Sequence, residues 1–268
     1  MVMNMNLNEE LIMIISSCEA YSDLWGNHVT CLKKYWPNRC INSIIVTDKK
    51  HPDDIKDVDI FSAGDSLEMP QRLKECLKHI KQEYILLTLD DYYIKDKIET
   101  QKIKRALNIM KKNKLDYFRF WPYPHEKNPM KGVNKVFWIS LEGTYKVNLY
   151  PGIWKKSFLE NTLNGELSAW TYEVTLTQTA KFLEAKCAYS TNNEFPIMDM
   201  IRKGKLLHPA KRFLKKNGMT LNRECIPYLQ EIKLNFMYYA KEIIPRPILK
   251  KLKKIMVKLG MRFISEEI

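Results

Sequence analysis

The sequence predicts an α/β domain with a largely parallel central sheet, followed by a basic and mostly helical extension. Short apolar segments alternate with amphipathic helical patterns from residue 11 to residue 121, the order expected of a parallel sheet with crossover helices. Near Ile201 the composition changes, and seven basic residues up to Lys216 follow with no acidic residue among them. We therefore expect one domain over residues 1–205 and an extension over residues 206–268.

The strands of the sheet are predicted from apolar runs. Leu11–Ile15 is short and continuous, as a buried strand is, and Tyr84–Leu89 is a second run of this kind. Further strands are expected at residues 41–47, 58–61 and 115–121. In parallel sheets ligands bind at the carboxyl ends of the strands. The segments after Ile15, Thr47 and Leu89 are therefore the expected ligand-binding loops.

The helices between these strands are predicted from apolar residues at helical spacing and from polar residues that can cap a helix. The expected caps are, in chain order, Ser22 or Asp23, then Asp65 or Ser66, then Asp96 with Glu99 as its capping-box partner.

The chain between the sheet and the extension is less regular. Several prolines after Trp121 indicate a long loop, and Val136–Leu141 with Thr144–Asn148 is predicted as a hairpin. A helix from Ser168 to Phe182 and a last strand at Ala185–Tyr189 follow.

The positive charge of the chain indicates an anionic partner. Lys and Arg number 44 against 31 acidic residues, a net charge of +13, and the excess gathers after residue 201. Residues 248–264 have an apolar stripe opposite a lysine-rich face, which predicts a basic amphipathic helix. We expect residues 245–264 to contact an anionic membrane surface; the alternative is an ordinary helix packed on the domain with solvated lysines.

Several classes of protein are disfavoured by what the sequence lacks. It has no G-x-x-x-x-G-K-[ST], G-x-G-x-x-G or G-x-S-x-G motif, and only nine glycines. The six cysteines form no C-x-x-C pair, so reduced thiols in a cytosolic protein are expected rather than a zinc cluster. No apolar run reaches 18 residues, and the first residues do not have the pattern of a signal peptide.

Asp90 and Asp91 directly follow the apolar run Tyr84–Leu89. Two adjacent carboxylates at the end of a buried strand are costly unless a cation or hydrogen-bond donors neutralise them. Mg²⁺ or Mn²⁺ takes few protein carboxylates and completes its shell with phosphate oxygens. The pair therefore favours a metal-assisted phosphate site, the alternative being a polar turn.

Three further residues are candidates for chemistry. Glu173, in Trp170-Thr171-Tyr172-Glu173, would serve as a general base if its aromatic neighbours keep it partly dry. His208 is an acceptable Mn²⁺ ligand, and the Arg72 guanidinium can bind a diphosphate. For each of the three, a surface or capping role is the alternative.

The order of these motifs resembles that in bacterial glycosyltransferases with the GT-A fold, of the type found in capsular polysaccharide and lipopolysaccharide biosynthesis. The resemblance covers roughly residues 10 to 208. The segments that carry it are Ser16-Ser17-Cys18, Tyr21 to Trp25, Gln71-Arg72-Leu73, Tyr84 to Tyr93, Tyr150 to Trp154 and Trp170 to Glu173.

The resemblance implies a GT-A fold, a Rossmann-like sheet flanked by helices, and a nucleotide-sugar donor that would be UDP-linked. Asp90 and Asp91 match the acidic metal motif, although this chain has Leu89-Asp90-Asp91 rather than a spaced Asp-x-Asp. Glu173 matches the base of inverting members, and His208 a third metal ligand. Ser17, Tyr21, Arg72 and Asp90 match positions near the nucleotide. The implied reaction passes a sugar to a glycan or lipid-linked acceptor, in the cytoplasm or at the inner face of the membrane.

Three other functions stay open at this point. A nucleic-acid-binding protein would use the same positive charge, but no recognition motif is visible, so nucleic acid is not the expected partner. A nucleotidyltransferase also uses paired acids with Mg²⁺, although Ser16-Ser17-Cys18 is neither glycine-rich nor basic. A scaffold that kept the fold and lost activity is the third.

Overall fold

The computed structural model describes residues 6–49, 55–165 and 167–234. The chain divides into two compact units, residues 1–199 and residues 200–268. The first unit contains an eight-stranded sheet in the order β3-β2-β1-β4-β8-β6-β9-β7. Its strands are β1 (Leu11–Ser16), β2 (Ser43–Thr47), β3 (Asp59–Ser62), β4 (Tyr84–Leu89), β6 (Tyr117–Arg119), β7 (Val136–Trp138), β8 (Gly152–Lys155) and β9 (Cys187–Ser190).

The sheet is parallel where the sequence alternates strand and helix. Strands β3, β2, β1 and β4 are parallel neighbours, with Ile14 of β1 beside Ile44 of β2 and Leu87 of β4. Strand β8 then runs antiparallel between β4 and β6, and β7 is antiparallel to β9. The predicted α/β architecture with a mostly parallel central sheet flanked by helices is confirmed.

Helices cover both faces of the sheet, because successive side chains of a strand point to opposite faces. Met13 of β1 packs with α2 (Trp25–Tyr35) and α4 (Thr100–Asn113). Ile14 packs on the other face with α3 (Met69–Leu77), α5 (Lys156–Thr162) and α6 (Ala169–Phe182). All six residues of β1 are buried, as its continuous apolar run predicts.

Two short elements precede the first long helix. Helix α1 (Leu7–Glu10) leads directly into β1, and a 3-10 helix, Glu19–Leu24, leads into α2. The predicted α2 cap at Ser22 or Asp23 is wrong, because both residues lie inside the 3-10 helix. Helix α4 has Glu99 at its N-cap position, so the predicted start at Asp96 is also wrong.

The predicted hairpin across Glu142–Gly143 is wrong. Val136–Trp138 pairs with β9, and no strand is assigned to residues 144–148 among those the structure describes. A two-stranded ribbon lies apart from the main sheet, formed by β5 (Tyr92–Ile94) and β10 (Ile197–Asp199).

The second unit begins with the hairpin of β11 (Ile201–Arg202) and β12 (Lys205–Leu206), followed by α7 (His208–Lys216). Residues 228–234 are helical. The predicted amphipathic helix at 248–264, and with it the membrane contact over 245–264, lies outside the described residues. Within the described ranges, no helix is long and apolar enough to cross a membrane.

Candidate functional site

The candidate site lies at the carboxyl edge of the parallel strands. Strands β1, β2 and β4 are neighbours in one direction, so the segments after Ser16, Thr47 and Leu89 emerge at the same edge. The backbone N–H of Ser17 donates to the Val46 carbonyl at 2.8 Å, which extends the β1–β2 pairing to this edge. The three loops that the sequence predicts for ligand binding are thus brought together.

Asp90 is held in place by a chain of polar contacts. Its side chain is 7% exposed, and its Oδ2 accepts a hydrogen bond from the Ser17 hydroxyl. That hydroxyl in turn accepts a hydrogen bond from Trp25 Nε1 at 2.6 Å. Because Trp25 and Ser17 are both buried, the Asp90 carboxylate is fixed before any ligand arrives.

His28 supports the same turn through the backbone. Its Nδ1 lies 3.0 Å from the Asp90 carbonyl oxygen, which identifies Nδ1 as the protonated nitrogen. Burial lowers the pKa of His28 to about 4, although the contact with the Asp90 carbonyl acts in the opposite direction. The Nε2 atom is buried and has no hydrogen-bond partner among the described residues. A neutral ring is therefore the form that fits this place.

Arg72 and Asp48 both act electrostatically on Cys18, the residue that follows Ser17. The pKa of Cys18 is raised by burial first and then by Asp90, with Asp48 also raising it and Arg72 lowering it, so these charges surround one half-buried thiol. Arg72 donates from Nη1 to the Leu67 carbonyl at 2.7 Å, while its buried Nε has no partner in the part of the chain that the structure describes.

Asp48 closes strand β2 and is ionised by its surroundings. Burial alone would raise the pKa of Asp48, but donors outweigh it and lower the pKa. These donors are the backbone N–H of Glu19 at 2.7 Å, the backbone N–H of Asp48 itself and the Thr47 hydroxyl at 3.1 Å, and the charge of Arg72 acts in the same direction. The bond from Glu19 ties the end of β2 to the segment that carries Tyr21, whose own N–H donates to the Cys18 carbonyl at 2.9 Å.

A second group of acids gathers around Tyr92, directly after the acidic pair. The pKa of Tyr92 is raised well above its ordinary value by burial first, and then by its neighbours Tyr150, Asp91, Asp199 and Glu173. Asp199 is the residue opposite Tyr92 in the β5–β10 ribbon. Glu173 on α6 accepts the backbone N–H of Leu149 at 3.2 Å. The predicted base and the predicted acidic pair therefore share one neighbour.

Aromatic rings line this part of the site. The Tyr150 ring stacks on Tyr92 with centroids 5.4 Å apart and on Trp121 with centroids 5.1 Å apart. Behind them, the buried guanidinium of Arg119 donates to the carbonyls of Trp121 at 2.8 Å, Pro124 at 3.0 Å and Lys146 at 2.7 Å. One buried cation thus binds two irregular segments, the proline-rich loop after Trp121 and the segment around Lys146.

The metal assignment of Asp90, Asp91 and His208 stays a prediction. Among the described residues, no three His, Cys, Asp or Glu side chains are grouped so as to hold a metal ion by themselves. His208 belongs to the second unit, where its Nε2 lies 3.0 Å from the Ile226 carbonyl and its backbone N–H donates to Glu231 at 3.2 Å.

Sequence reasoning missed several residues of this site: Asp48, Asp199, Tyr92 and Arg119. Asp48 could have been found, because it ends the second predicted strand as Asp90 ends the fourth. Asp199 and Arg119 gave no local signal, because their positions depend on strand pairing between distant segments.

Comparisons with known proteins find a distant similarity in structure and no match in sequence. The sequence matches no known family model, and it matches no curated protein. A solved structure of Staphylococcus aureus TarS, residues 1–349, aligns over 68% of this chain and 58% of its own, with 13% identity and a TM-score of 0.45. A putative nucleotide-diphospho-sugar transferase from Desulfovibrio desulfuricans G20 aligns over 68% of this chain and 79% of its own, with 10% identity and a TM-score of 0.44. A cytidylyltransferase from Leptospira borgpetersenii aligns over 82% of this chain and 100% of its own, with 11% identity and a TM-score of 0.43.

Proposed function

We propose that the chain is an inverting glycosyltransferase that moves a sugar from a UDP-linked donor to a hydroxyl group of a glycan or lipid-linked acceptor. The observation that carries the proposal is the placement of Asp90–Asp91 at the carboxyl edge of the parallel strands. Asp90, Arg72 and Asp48 all act electrostatically on Cys18, while Glu173 and Asp91 both act on Tyr92. A nucleotide site and a base are thus supported at the two ends of one acidic pair.

The donor would bind on the Asp90 side. A carboxylate only accepts hydrogen bonds, so Asp90, already fixed by Ser17, is suited to a ribose hydroxyl or to a metal-bound water. Arg72 carries the positive charge that a diphosphate needs. Ser17 would then act through Asp90, and Tyr21 would border the nucleotide from the adjoining turn.

Asp90 and Asp91 would hold a divalent cation. They supply oxygen ligands, which Mg²⁺ and Mn²⁺ prefer, and two carboxylates with substrate phosphates suffice for such an ion. When bound, the ion would neutralise the charge of the diphosphate.

The acceptor would bind on the Glu173 side. Glu173 would take the proton of the acceptor hydroxyl while that oxygen attacks the anomeric carbon from the face opposite the diphosphate. The bond from the anomeric carbon to the phosphate oxygen breaks as the new glycosidic bond forms, so the configuration inverts. The stacked rings of Tyr92, Tyr150 and Trp121 offer flat apolar surface for a sugar.

The pathway and location are proposed on the same basis. The resemblance to capsular polysaccharide and lipopolysaccharide enzymes supports a role in surface polysaccharide assembly, in the cytoplasm or at the inner face of the membrane. An acceptor carried on lipid would bring the reaction to that face.

The first test is UDP binding by calorimetry, with and without Mn²⁺, on the wild type and on Asp91→Ala. We expect binding that depends on Mn²⁺ and is lost in Asp91→Ala. Asp96→Ala, an exposed acid five residues further along the chain, is the matched control and should bind as the wild type does. Absence of UDP binding under both conditions would overturn the UDP-donor proposal.

A second test separates sugar transfer from nucleotidyl transfer, which uses the same kind of acidic pair. Glu173→Gln should keep UDP binding and lose transfer to acceptor. If the wild type instead releases pyrophosphate from a nucleoside triphosphate and a sugar phosphate, the protein is a nucleotidyltransferase.

A further inference from the structure

The excess charge of the chain is concentrated in the second unit. The first unit, up to Asp199, has 27 basic and 26 acidic side chains, whereas the chain from Met200 onward has 17 and 5. Nearly all of the net charge of +13 therefore belongs to the unit that follows the candidate site. A charge separated in this way indicates a partner other than the nucleotide.

Helix α7 presents this charge on one face. Lys211 and Lys215 are exposed and lie one turn apart, as do Arg212 and Lys216, while Leu214 is buried on the opposite side. No acidic residue occurs from Met200 to Arg223. None of these four cations forms an ion pair with any side chain in the described ranges.

Apolar side chains are exposed where α7 begins. Tyr228, Leu229 and Ile232 are 62%, 75% and 50% exposed, on the helical stretch 228–234. The ring of Tyr228 packs edge-on against His208, the first residue of α7, with centroids 5.1 Å apart. Large apolar side chains grouped at a surface are unusual and mark a site of contact.

We propose that α7 and residues 228–232 form a docking surface for an anionic lipid bilayer, called here the basic–apolar surface. The cations match the negative headgroups, and the exposed leucine and isoleucine fit the boundary between headgroups and acyl chains. A nucleic-acid partner would explain the positive charge but not the exposed aliphatic side chains, because these neither stack on bases nor bind phosphate. The proposal goes beyond the transfer reaction and does not depend on it.

The test is co-sedimentation of the full chain with two kinds of vesicle, phosphatidylcholine alone and phosphatidylcholine mixed with phosphatidylglycerol. Each basic residue near an anionic surface raises partitioning roughly fivefold. Lys211→Gln with Lys215→Gln should therefore lower binding to the anionic vesicles roughly 30-fold. Arg105→Gln with Lys112→Gln, which removes two exposed cations of α4, is the matched control and should change binding little.

The apolar part is tested with Leu229→Ser and Ile232→Ser together, which should lower binding to anionic vesicles roughly tenfold or more. Equal losses from the α7 and α4 variants, or wild-type binding by the α7 variant, would overturn the proposal. So would tight binding to RNA or DNA that the serine variant retains. Thermal unfolding of every variant at the wild-type midpoint would show that they are folded, so this outcome is separate from that of the donor test.

Discussion

His28 makes the stability of the first unit depend on pH in a way that can be isolated. The ring is fully buried, its Nδ1 contacts the Asp90 carbonyl, and burial lowers its pKa from 6.5 to about 4. Between pH 6.5 and pH 4, His28 is therefore protonated in the unfolded chain but neutral in the folded chain. The stabilisation is complete above pH 6.5 and is lost as the pH falls toward 4.

The size of the effect follows from the two pKa values. Between them the free energy of unfolding changes by about 1.4 kcal/mol per pH unit, so His28 should cost about 2 kcal/mol on going from pH 7 to pH 5. Most carboxylates with ordinary pKa values titrate below this window, so their contribution is smaller there.

The assay is urea unfolding followed by tryptophan fluorescence at pH 7, 6 and 5, on the wild type and on His28→Asn. Asparagine keeps a donor near the position of Nδ1 but does not titrate, so it should lower stability by a constant amount and remove most of the slope. Parallel pH profiles for the two proteins would refute the reasoning, because the slope would then come from other groups.

Two further predictions concern packing in the sheet. Arg119→Met should lower the free energy of unfolding by about 3–5 kcal/mol in urea titrations, because it removes three charged hydrogen bonds and leaves the carbonyls of Trp121, Pro124 and Lys146 without them; a loss below about 1 kcal/mol would contradict it. Gly152→Ala should cost about 1–3 kcal/mol by thermal unfolding, since the added Cβ would lie 2.8 Å from the Phe118 carbonyl oxygen. Gly26→Ala, where a Cβ meets no atom within 4 Å, is its control and should not destabilise.

The parallel half of the sheet could be predicted from the sequence because each strand is an uninterrupted apolar run. Leu11–Ser16 and Tyr84–Leu89 are buried almost throughout, so hydrophobicity alone identifies them. Because parallel strands run in the same direction, the prediction of β1, β2 and β4 also predicted their shared carboxyl edge and the acidic pair on it.

In the other half of the sheet, the strands β6, β7 and β9 were predicted but their pairing could not be, because it joins short strands at long range. Val136–Trp138 finds its partner in β9 rather than in the nearby residues 144–148. Glu142–Gly143 carries a glycine with a positive φ of 101°, a local turn signal that does not require strands on both sides. Local turn chemistry was thus correct, and the pairing inferred from it was wrong.

The candidate site joins a rigid part to a part assembled from distant segments. Asp90 is fixed from one side by Ser17, which directly follows β1, and from the other by His28 of α2. The next residues leave the main sheet and pair with β10, which brings Asp199 beside Tyr92. Under the proposed function, a group that binds the donor must be held within a fraction of an ångström, and the buried network around Asp90 provides this. The acceptor side would instead depend on the pairing of β5 with β10, which is separate from the main sheet.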